Sequence, residues 1–431
     1  MTLQTPAPQE AEIRALVRRY GAEALAASRV LAAVPTKTKN AVLETLAGLL
    51  ETRAAELTEE NSRDLAAGRE AGLSSAMLDR LALTPARLEG IIAGLRQVVA
   101  LPDPVGTVMR EYQHPKGFVI RKRRAPIGVI GIIYESRPNV TIDCAALCLK
   151  SGNACILRGG KEAIHSNRAL AALIGEALAA HDLPSAAVCL IPTTDRVATR
   201  ELLAMDEYVH CLIPRGGVGL IRFVAEHARM PVLKHFEGVC SVYVDTDADS
   251  AMAEEIVVNA KCQRPGVCNA AENLVVHRDV LESHLIPLAR RLRAEGVELR
   301  ADGAAREILE EEGIEVRVAT EEDFRTEYLE LILAIKTVDS VDEAIDFINT
   351  YGSGHSDAIV TGDPVTAHRF QDRVDSATVY WNVSTRFTDG FEFGLGAEIG
   401  ISTDRMHARG PVGLEELTSY KYVITGHGEV K

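Results

Sequence analysis

The sequence lacks a positive charge balance, and this weighs against nucleic acid as a partner. Its 431 residues include 47 lysines and arginines against 61 aspartates and glutamates, a formal net charge of −14. An acidic surface repels a phosphate backbone, although a local group of cations can still bind a small anion. The one dense basic run is "FVIRKRRAP" (118–126), for which a solvated strand face is a sufficient explanation.

Long apolar runs, an apolar leader and metal-binding spacings are also missing. No stretch of eighteen apolar residues occurs, so we expect no transmembrane helix. The polar start predicts a protein without a signal peptide. The eight cysteines lie mainly in apolar segments, and without export we expect reduced thiols in the cytoplasm. Because neither a CxxC pair nor a zinc-like His and Cys spacing is present, we expect no metal site.

The hydrophobic pattern predicts an α/β fold. The first hundred residues carry apolar side chains three and four positions apart, which indicates helices. Strand and helix patterns then alternate to residue 234, ending on a predicted strand at 230–236. Runs that are apolar on both faces favour a covered parallel sheet with ligands at its C-terminal edge, as in dinucleotide-binding domains. A second α/β pattern follows from 236. The final strand, 417–426, has no obvious local partner and is typical of a strand that pairs with another subunit.

Glycine clusters follow three of the predicted strands, at 157–163, 214–223 and 236–240. None matches GxGxxG or a phosphate-binding P-loop. Each cluster alone is equally well explained by turn formation. Three such clusters at strand ends favour a phosphate or ribose contact, since amides at helix N-termini bind anions. Arg158 and Lys161 flank the first cluster, and two cations there suit the 2′-phosphate of NADP.

The segment "KCQRPGVCNAAEN" (261–273) contains two cysteines of different character. Cys262 ends an amphipathic segment and is typical of helix packing. Cys268 follows a Pro-Gly turn, where a nearby cation such as Arg264 would lower the pKa of a nucleophilic thiol. The pattern alone does not separate that role from a buried structural cysteine.

Three further places carry candidate ligand-binding groups. Asn139, between a strand and a helix, either caps the helix or offers its amide to a developing oxyanion. The segment 380–417 is long, polar and glycine-rich, and long irregular segments are usually functional. There Arg386 suits a carboxylate, Asp389 an ammonium, and the hydroxyls a phosphate or carboxylate, although a plain surface loop is an alternative. Glu327 is either a surface charge or a ribose ligand. The candidate substrate-binding residues are Arg137, Asn382, Ser384, Thr385 and Arg386.

Three segments, 127–163, 262–277 and 382–426, resemble the aldehyde dehydrogenase superfamily, and the likeness extends over nearly the whole chain. The resemblance implies three parts: a Rossmann-like cofactor domain, an α/β catalytic domain and a small β oligomerisation element. The expected boundaries are 1–104 and 123–235 for the NADP-binding domain, 236–405 for the catalytic domain, and 105–122 and 406–431 for the oligomerisation element.

The resemblance also implies roles for single residues. Cys268 matches the nucleophile in the signature "RPG-C-NA". Asn139 matches the asparagine that holds the oxyanion together with the cysteine's own amide. The implied cofactor contacts are Arg158 and Lys161 at the adenosine ribose, Gly216 and Gly217 near the pyrophosphate, and Glu327 at the nicotinamide ribose.

One departure from the family pattern narrows the expected reaction. Hydrolytic members carry a general-base glutamate just before a Gly-Gly pair, whereas "KHFEGVCS" offers His235 or Glu237 and a single glycine. The resemblance therefore implies NADPH-dependent reduction of L-glutamyl 5-phosphate to L-glutamate 5-semialdehyde through a cysteine thioester, the second step of proline biosynthesis. It further implies a cytoplasmic homo-oligomer whose upstream partner is glutamate 5-kinase. The alternative is a hydrolytic aldehyde dehydrogenase acting on an amino-acid-derived aldehyde.

Overall fold

The computed structural model describes residues 8–431, which form two compact units. The first comprises the described residues up to Lys234 together with Gly394–Gly400 and Val412–Lys431. The second comprises His235–Phe393 and Ile401–Pro411. Within residues 8–431, no helix has both the length and the apolar character that a membrane span requires.

Helices form the beginning of the first unit, as the apolar spacing predicted. Leu43, Leu46 and Leu50 lie three and four positions apart and are all buried, so they form one packed face. The last helix of the group begins at Pro85, where the Thr84 hydroxyl accepts a hydrogen bond from the amide of Arg87. The helices are α1 (Pro8–Leu31), α2 (Thr36–Thr52), α3 (Ala54–Glu70), α4 (Ser75–Leu81) and α5 (Pro85–Ala100).

A parallel sheet follows in the same unit. Its strands lie in the order β5-β4-β3-β6 and every pair is parallel, which confirms the predicted layout. The elements in chain order are β1 (Val108–Gln113), β2 (Val119–Pro126), β3 (Val129–Tyr134), α6 (Asn139–Lys150), β4 (Ala154–Arg158), α7 (Ile164–Ala179), β5 (Val188–Leu190), α8 (Arg196–Leu203), β6 (Cys211–Arg215) and α9 (Val218–His227).

The strand predicted at 230–236 is wrong. In this segment Val232 forms a single bridge to Leu212 of β6. Pro231 has no N–H to extend the ladder, and the chain enters the second unit at His235. The segment is therefore a crossing between the units.

The second unit is built on a longer parallel sheet. Its strand order is β10-β9-β11-β8-β7-β12-β13. Every hydrogen-bonded pair in it is parallel. The elements are β7 (Cys240–Val244), α10 (Ser250–Cys262), β8 (Ala271–His277), α11 (Ile286–Ala294), β9 (Glu298–Ala301), α12 (Gly303–Glu311), β10 (Arg317–Val318), β11 (Ile332–Val338), α13 (Val341–Tyr351), β12 (Ser356–Val360), α14 (Pro364–Arg373), β13 (Thr378–Trp381), β14 (Ile401–Ser402) and β15 (Gly410–Pro411).

The C-terminal strand, β16 (Thr418–Thr425), has a partner in its own chain. It pairs antiparallel with β2 along its whole length, and β2 pairs antiparallel with β1. The partner strand lies far away in the sequence, which is why no local partner was visible. Because β16 is the edge strand of this sheet, the expected pairing with another subunit stays a prediction. The basic run of β2 is half-buried in this sheet, where Lys122 lies 3.6 Å from the centre of the Tyr420 ring.

Candidate active site

Cys268 lies in the short turn between α10 and β8 of the second unit, and its backbone is held from behind. The Cys240 thiol at the start of β7 donates a hydrogen bond to the Cys268 carbonyl at 3.2 Å. Gly238 approaches so closely that a Cβ there would lie 2.5 Å from Cys268 Cα and 2.6 Å from its carbonyl carbon. Cys262, by contrast, packs against the apolar core at the end of α10, as its pattern predicted.

Asn269, the residue after Cys268, ties this turn to the polar segment that follows β13. Its buried amide donates to the carbonyls of Arg386 and Thr388 at 3.3 and 2.9 Å, and its side-chain oxygen accepts from the Arg386 guanidinium. Its own carbonyl accepts from the Thr385 hydroxyl at 2.7 Å. Asn269 was not among the predicted site residues, although its position inside "CNA" next to Cys268 was a signal.

Arg386 thereby becomes a fixed cation beside the candidate nucleophile. Its Nε donates to Gln263 at 2.8 Å, so the guanidinium contacts residues on both sides of the turn. Burial, and then the charge of Arg264, lower the pKa of Arg386, whereas the nearby Cys268 and Asp389 raise it. Arg386 is thus a cation near Cys268, of the kind expected beside an activated thiol.

Three other predicted substrate-binding residues shape the same segment. The Asn382 amide donates to the Thr361 carbonyl and accepts from the Thr361 amide, both at 3.0 Å. The Ser384 hydroxyl accepts from the amide of Arg386, and the side chain of Thr385 is fully buried. Arg137 belongs to the first unit, where it is exposed between β3 and α6.

Glu327 lies on the same side of Cys268 as the Gly238 segment. It accepts a hydrogen bond from the Gly238 amide, while burial and the charge of Glu237 raise its pKa. Near Glu327 lies a fully buried ion pair, in which Lys261 Nζ is 2.5 Å from Glu272 Oε2. Glu237 is exposed, and the single glycine of "FEGV" is the residue that packs on Cys268.

A buried polar network that the sequence analysis missed continues behind Cys240. His355 is fully buried, and its Nδ1 lies 2.8 Å from the Ser356 hydroxyl and 3.7 Å from the Cys240 sulfur. Ser356 in turn bonds the Thr388 hydroxyl at 2.6 Å. Burial, with a further contribution from His235, lowers the pKa of His355 to about 3, so the imidazole is neutral.

Asn139 is the first residue of α6 in the first unit, so its interpretation as the helix cap is wrong. The cap position is Pro138, which supplies no side-chain hydrogen bond. Asn139 Nδ2 instead donates to Asp143 Oδ2 at 2.9 Å, one helical turn later. Burial raises the pKa of Asp143 to about 6, opposed by the Asn139 bond and by Arg215. At neutral pH the carboxyl group is therefore mostly ionised.

Four of the five predicted cofactor residues lie at the C-terminal edge of the first unit's sheet, whereas Glu327 belongs to the second unit. Arg158 ends β4 and donates to the carbonyls of Gly159 and Thr194 at 2.5 and 3.0 Å. Its Nε is buried and, within residues 8–431, makes no hydrogen bond. Lys161 is exposed at the start of the following turn. Both cations are thus available to an anion at this edge.

Gly216 and Gly217 form the junction between β6 and α9. The Gly217 amide, at the N-terminus of α9, donates to the exposed Glu135 carboxylate at 2.9 Å. A Cβ on Gly216 would lie 2.6 Å from the same carboxylate oxygen. The helix terminus therefore already receives an anionic group, in agreement with its partial positive charge.

Known proteins are similar to this chain in sequence and in fold. The model of the aldehyde dehydrogenase family matches residues 4–304 and 318–423. The γ-glutamyl phosphate reductase of Opitutus terrae is 57% identical over 98% of this chain and 99% of its own length. That of Geobacter metallireducens is 52% identical over 96% and 98%. The crystal structure of the γ-glutamyl phosphate reductase from Thermotoga maritima superposes with a TM-score of 0.94 at 46% identity, covering 96% of this chain and 99% of the other.

These matches confirm the aldehyde-dehydrogenase-like α/β fold that the sequence predicted. They extend along nearly the whole length of both partners in each comparison, so the likeness is not restricted to one shared domain. The chain therefore belongs to the aldehyde dehydrogenase family, and the two relatives described above, at 57% and 52% identity, are named γ-glutamyl phosphate reductase.

Proposed function

We propose that this chain reduces L-glutamyl 5-phosphate to L-glutamate 5-semialdehyde, consuming NADPH and a proton and releasing phosphate. The observation that carries the proposal is the 57% identity, over 98% of the chain, to a protein named γ-glutamyl phosphate reductase. The geometry around Cys268 agrees, since this cysteine lies in a turn that neighbouring segments hold in place and next to a fixed cation.

Cys268 starts the reaction as a thiolate. Its sulfur attacks the γ-carbonyl carbon of the substrate, the C–O bond to phosphate breaks, and a thioester remains on the enzyme. The charge of Arg386 favours the thiolate and attracts the anionic leaving group. Arg137 and the hydroxyl-bearing segment around Arg386 are the proposed contacts for the remainder of the substrate.

Asn139 and the Cys268 amide are proposed to hold the oxyanion at the reacting carbonyl. Two aligned donors stabilise the negative charge that develops as the tetrahedral species forms. Removing one such donor typically raises the activation free energy by about 2.7–4 kcal/mol, which lowers turnover about 100- to 1,000-fold.

Arg158, Lys161, the paired glycines and Glu327 are proposed to bind the cofactor. The Nε of Arg158 is buried and makes no hydrogen bond within the described part of the chain, and Lys161, three residues further on, is exposed; two such cations fit an anionic group such as the 2′-phosphate of NADP. Gly216 and Gly217 would approach the pyrophosphate, and Glu327 the nicotinamide ribose. When bound, NADPH supplies the hydride that converts the thioester to the aldehyde level.

The test is the reverse reaction with glutamate 5-semialdehyde and NADP⁺, run with and without inorganic phosphate. The proposal requires phosphate, because in the reverse direction phosphate attacks the thioester carbonyl and releases the Cys268 thiolate. Equal rates without phosphate would instead favour the hydrolytic aldehyde dehydrogenase. A parallel thiol-labelling experiment at neutral pH should modify Cys268 faster than Cys262, and equal labelling would remove Cys268 as the activated thiol.

The sheet of β1, β2 and β16 is proposed as the oligomerisation element of a cytoplasmic homo-oligomer. It leaves large apolar side chains exposed, among them Val108, Met109, Tyr420, Tyr422 and Ile424. Its edge strand β16 could continue the sheet in a second copy. Light scattering should show a smaller mass for a variant with Tyr422→Ser and Ile424→Ser. The proposed upstream partner, glutamate 5-kinase, would supply the acyl phosphate.

A further inference from the structure

The side-chain amide of Asn139 has two chemically opposite ends. Nδ2 carries two hydrogens and donates, whereas Oδ1 only accepts, and a rotation of the amide by half a turn exchanges them. An oxyanion needs a donor, so the flipped amide would present an acceptor and repel the developing charge. A residue that selects one orientation therefore affects the reaction without touching the substrate.

Asp143 provides such a selection. Its ionised carboxylate can only accept, and it accepts from Asn139 Nδ2 at 2.9 Å. The flipped orientation would place Oδ1 against the carboxylate and lose this charge-assisted bond. Within residues 8–431 the Asn139 side chain makes no other hydrogen bond, so one N–H of Nδ2 is fixed and the second stays available to a ligand.

The start of α6, where Asn139 and Asp143 lie one turn apart, is itself held in place. Thr141 is fully buried, donates to Asn167 Oδ1 at 3.0 Å and accepts from the Tyr134 hydroxyl at 2.6 Å. Asn139 and Asp143 thus lie at the start of a helix that is hydrogen-bonded to β3 and to α7. Arg215 of β6 provides the positive charge that faces Asp143, and its attraction opposes protonation of the half-buried carboxyl group.

We infer that Asp143 is a positioning residue that fixes the Asn139 amide with its nitrogen toward the oxyanion. The inference rests on the proposed function, because it gives Asp143 a role only through Asn139. It differs from that function in naming a residue outside the groups that contact substrate or cofactor.

Asp143→Asn tests the inference with nearly the same shape. The new amide accepts or donates equally well, so it no longer selects the orientation of Asn139. We expect kcat to fall about 10- to 100-fold, the ratio that matches loss of one charge-assisted hydrogen bond. The KM for NADPH and the melting temperature should stay at wild-type values. Asp79→Asn, at an exposed surface carboxylate, is the matched control and should leave kcat unchanged.

A double-mutant cycle separates positioning from a general structural effect. In the Asn139→Ala background, Asp143→Asn should cause no further loss of kcat, because the amide that it positions is gone. An additional loss equal to that of the single variant would overturn the inference, as would a wild-type kcat for Asp143→Asn. If Asp143→Asn fails to fold, Asp143→Ala enters the same cycle with the same expectation. A wild-type rate for Asn139→Ala would instead refute the proposed oxyanion contact, which is a different outcome.

Discussion

Gly238→Ala is the substitution that the packing around Cys268 singles out. A Cβ at this position would lie 2.5 Å from Cys268 Cα and 2.6 Å from its carbonyl carbon, whereas ordinary contacts begin at 3.4 Å. The nearest atom is the Cys268 carbonyl oxygen at 2.0 Å, so one backbone segment must move by about 1.4 Å, the difference between 3.4 and 2.0 Å. The obstacle is backbone, which cannot rotate aside as a flexible side chain would.

A displacement of about 1 Å in a reacting group costs roughly 100-fold in rate. We expect Gly238→Ala to lower kcat by about that factor and to slow labelling of the Cys268 thiol. The forced repacking should also reduce the free energy of unfolding by about 1–3 kcal/mol. Steady-state kinetics, thiol labelling followed by mass spectrometry, and urea unfolding measure the three effects.

Gly303→Ala provides the control in the same unit. Gly303 opens α12, and a Cβ there meets no atom within 4 Å, so kcat should be unchanged. A Gly238→Ala protein that keeps kcat and the labelling rate within about threefold of wild type would refute the reasoning, because the nucleophile would then not depend on this contact.

The remaining predictions concern the missed residues and the helix terminus. Asn269→Ala should reduce the free energy of unfolding by about 1–3 kcal/mol for each buried carbonyl that it leaves unsatisfied, and should lower kcat. The exposed Asn349→Ala, which also breaks two backbone contacts, should cost less in urea unfolding. For His355, the folded pKa of about 3 lies below the ordinary imidazole value of 6.5, so the unfolded state binds more protons. Its contribution to stability is complete above pH 6.5 and falls by about 1.4 kcal/mol per unit toward pH 3, a slope that His355→Gln should remove. Glu135→Gln should tighten NADPH binding several-fold in fluorescence titrations, since the carboxylate at the Gly217 amide competes with a pyrophosphate.

Each of these predictions has a contrary result. If the Asn269 and Asn349 variants lose equal free energies of unfolding, burial does not increase the contribution of the Asn269 hydrogen bonds to stability. An unchanged pH dependence in His355→Gln would assign the acid sensitivity to other groups. Unchanged or weaker NADPH binding in Glu135→Gln would show that the carboxylate does not oppose the cofactor.

The local features of this fold follow from sequence pattern because they depend on neighbours in the chain. Apolar spacing predicted the helices before residue 100, and the Thr84-Pro85 pair predicted the start of α5. Alternating β-prone and amphipathic segments predicted the parallel sheet of the first unit and an α/β pattern in the second. The failures were also local in origin. Asn139 has a capping residue type but lies inside the helix, and 230–236 has a strand composition but contains Pro231 at the point where the chain changes unit.

The sequence by itself determined the two α/β halves and, through the motif around it, the identity of the candidate nucleophile Cys268. Only the tertiary structure decided what surrounds that thiol. The contacts that define this site join residues about 30 to 120 positions apart in the chain, as those of Gly238, Asn269 and His355 do. The strand β16 likewise pairs with β2, which lies about 300 positions away. Periodicity records whether a side chain is buried and on which face, but not which distant segment it meets. Such pairings arise only when the separate elements pack together.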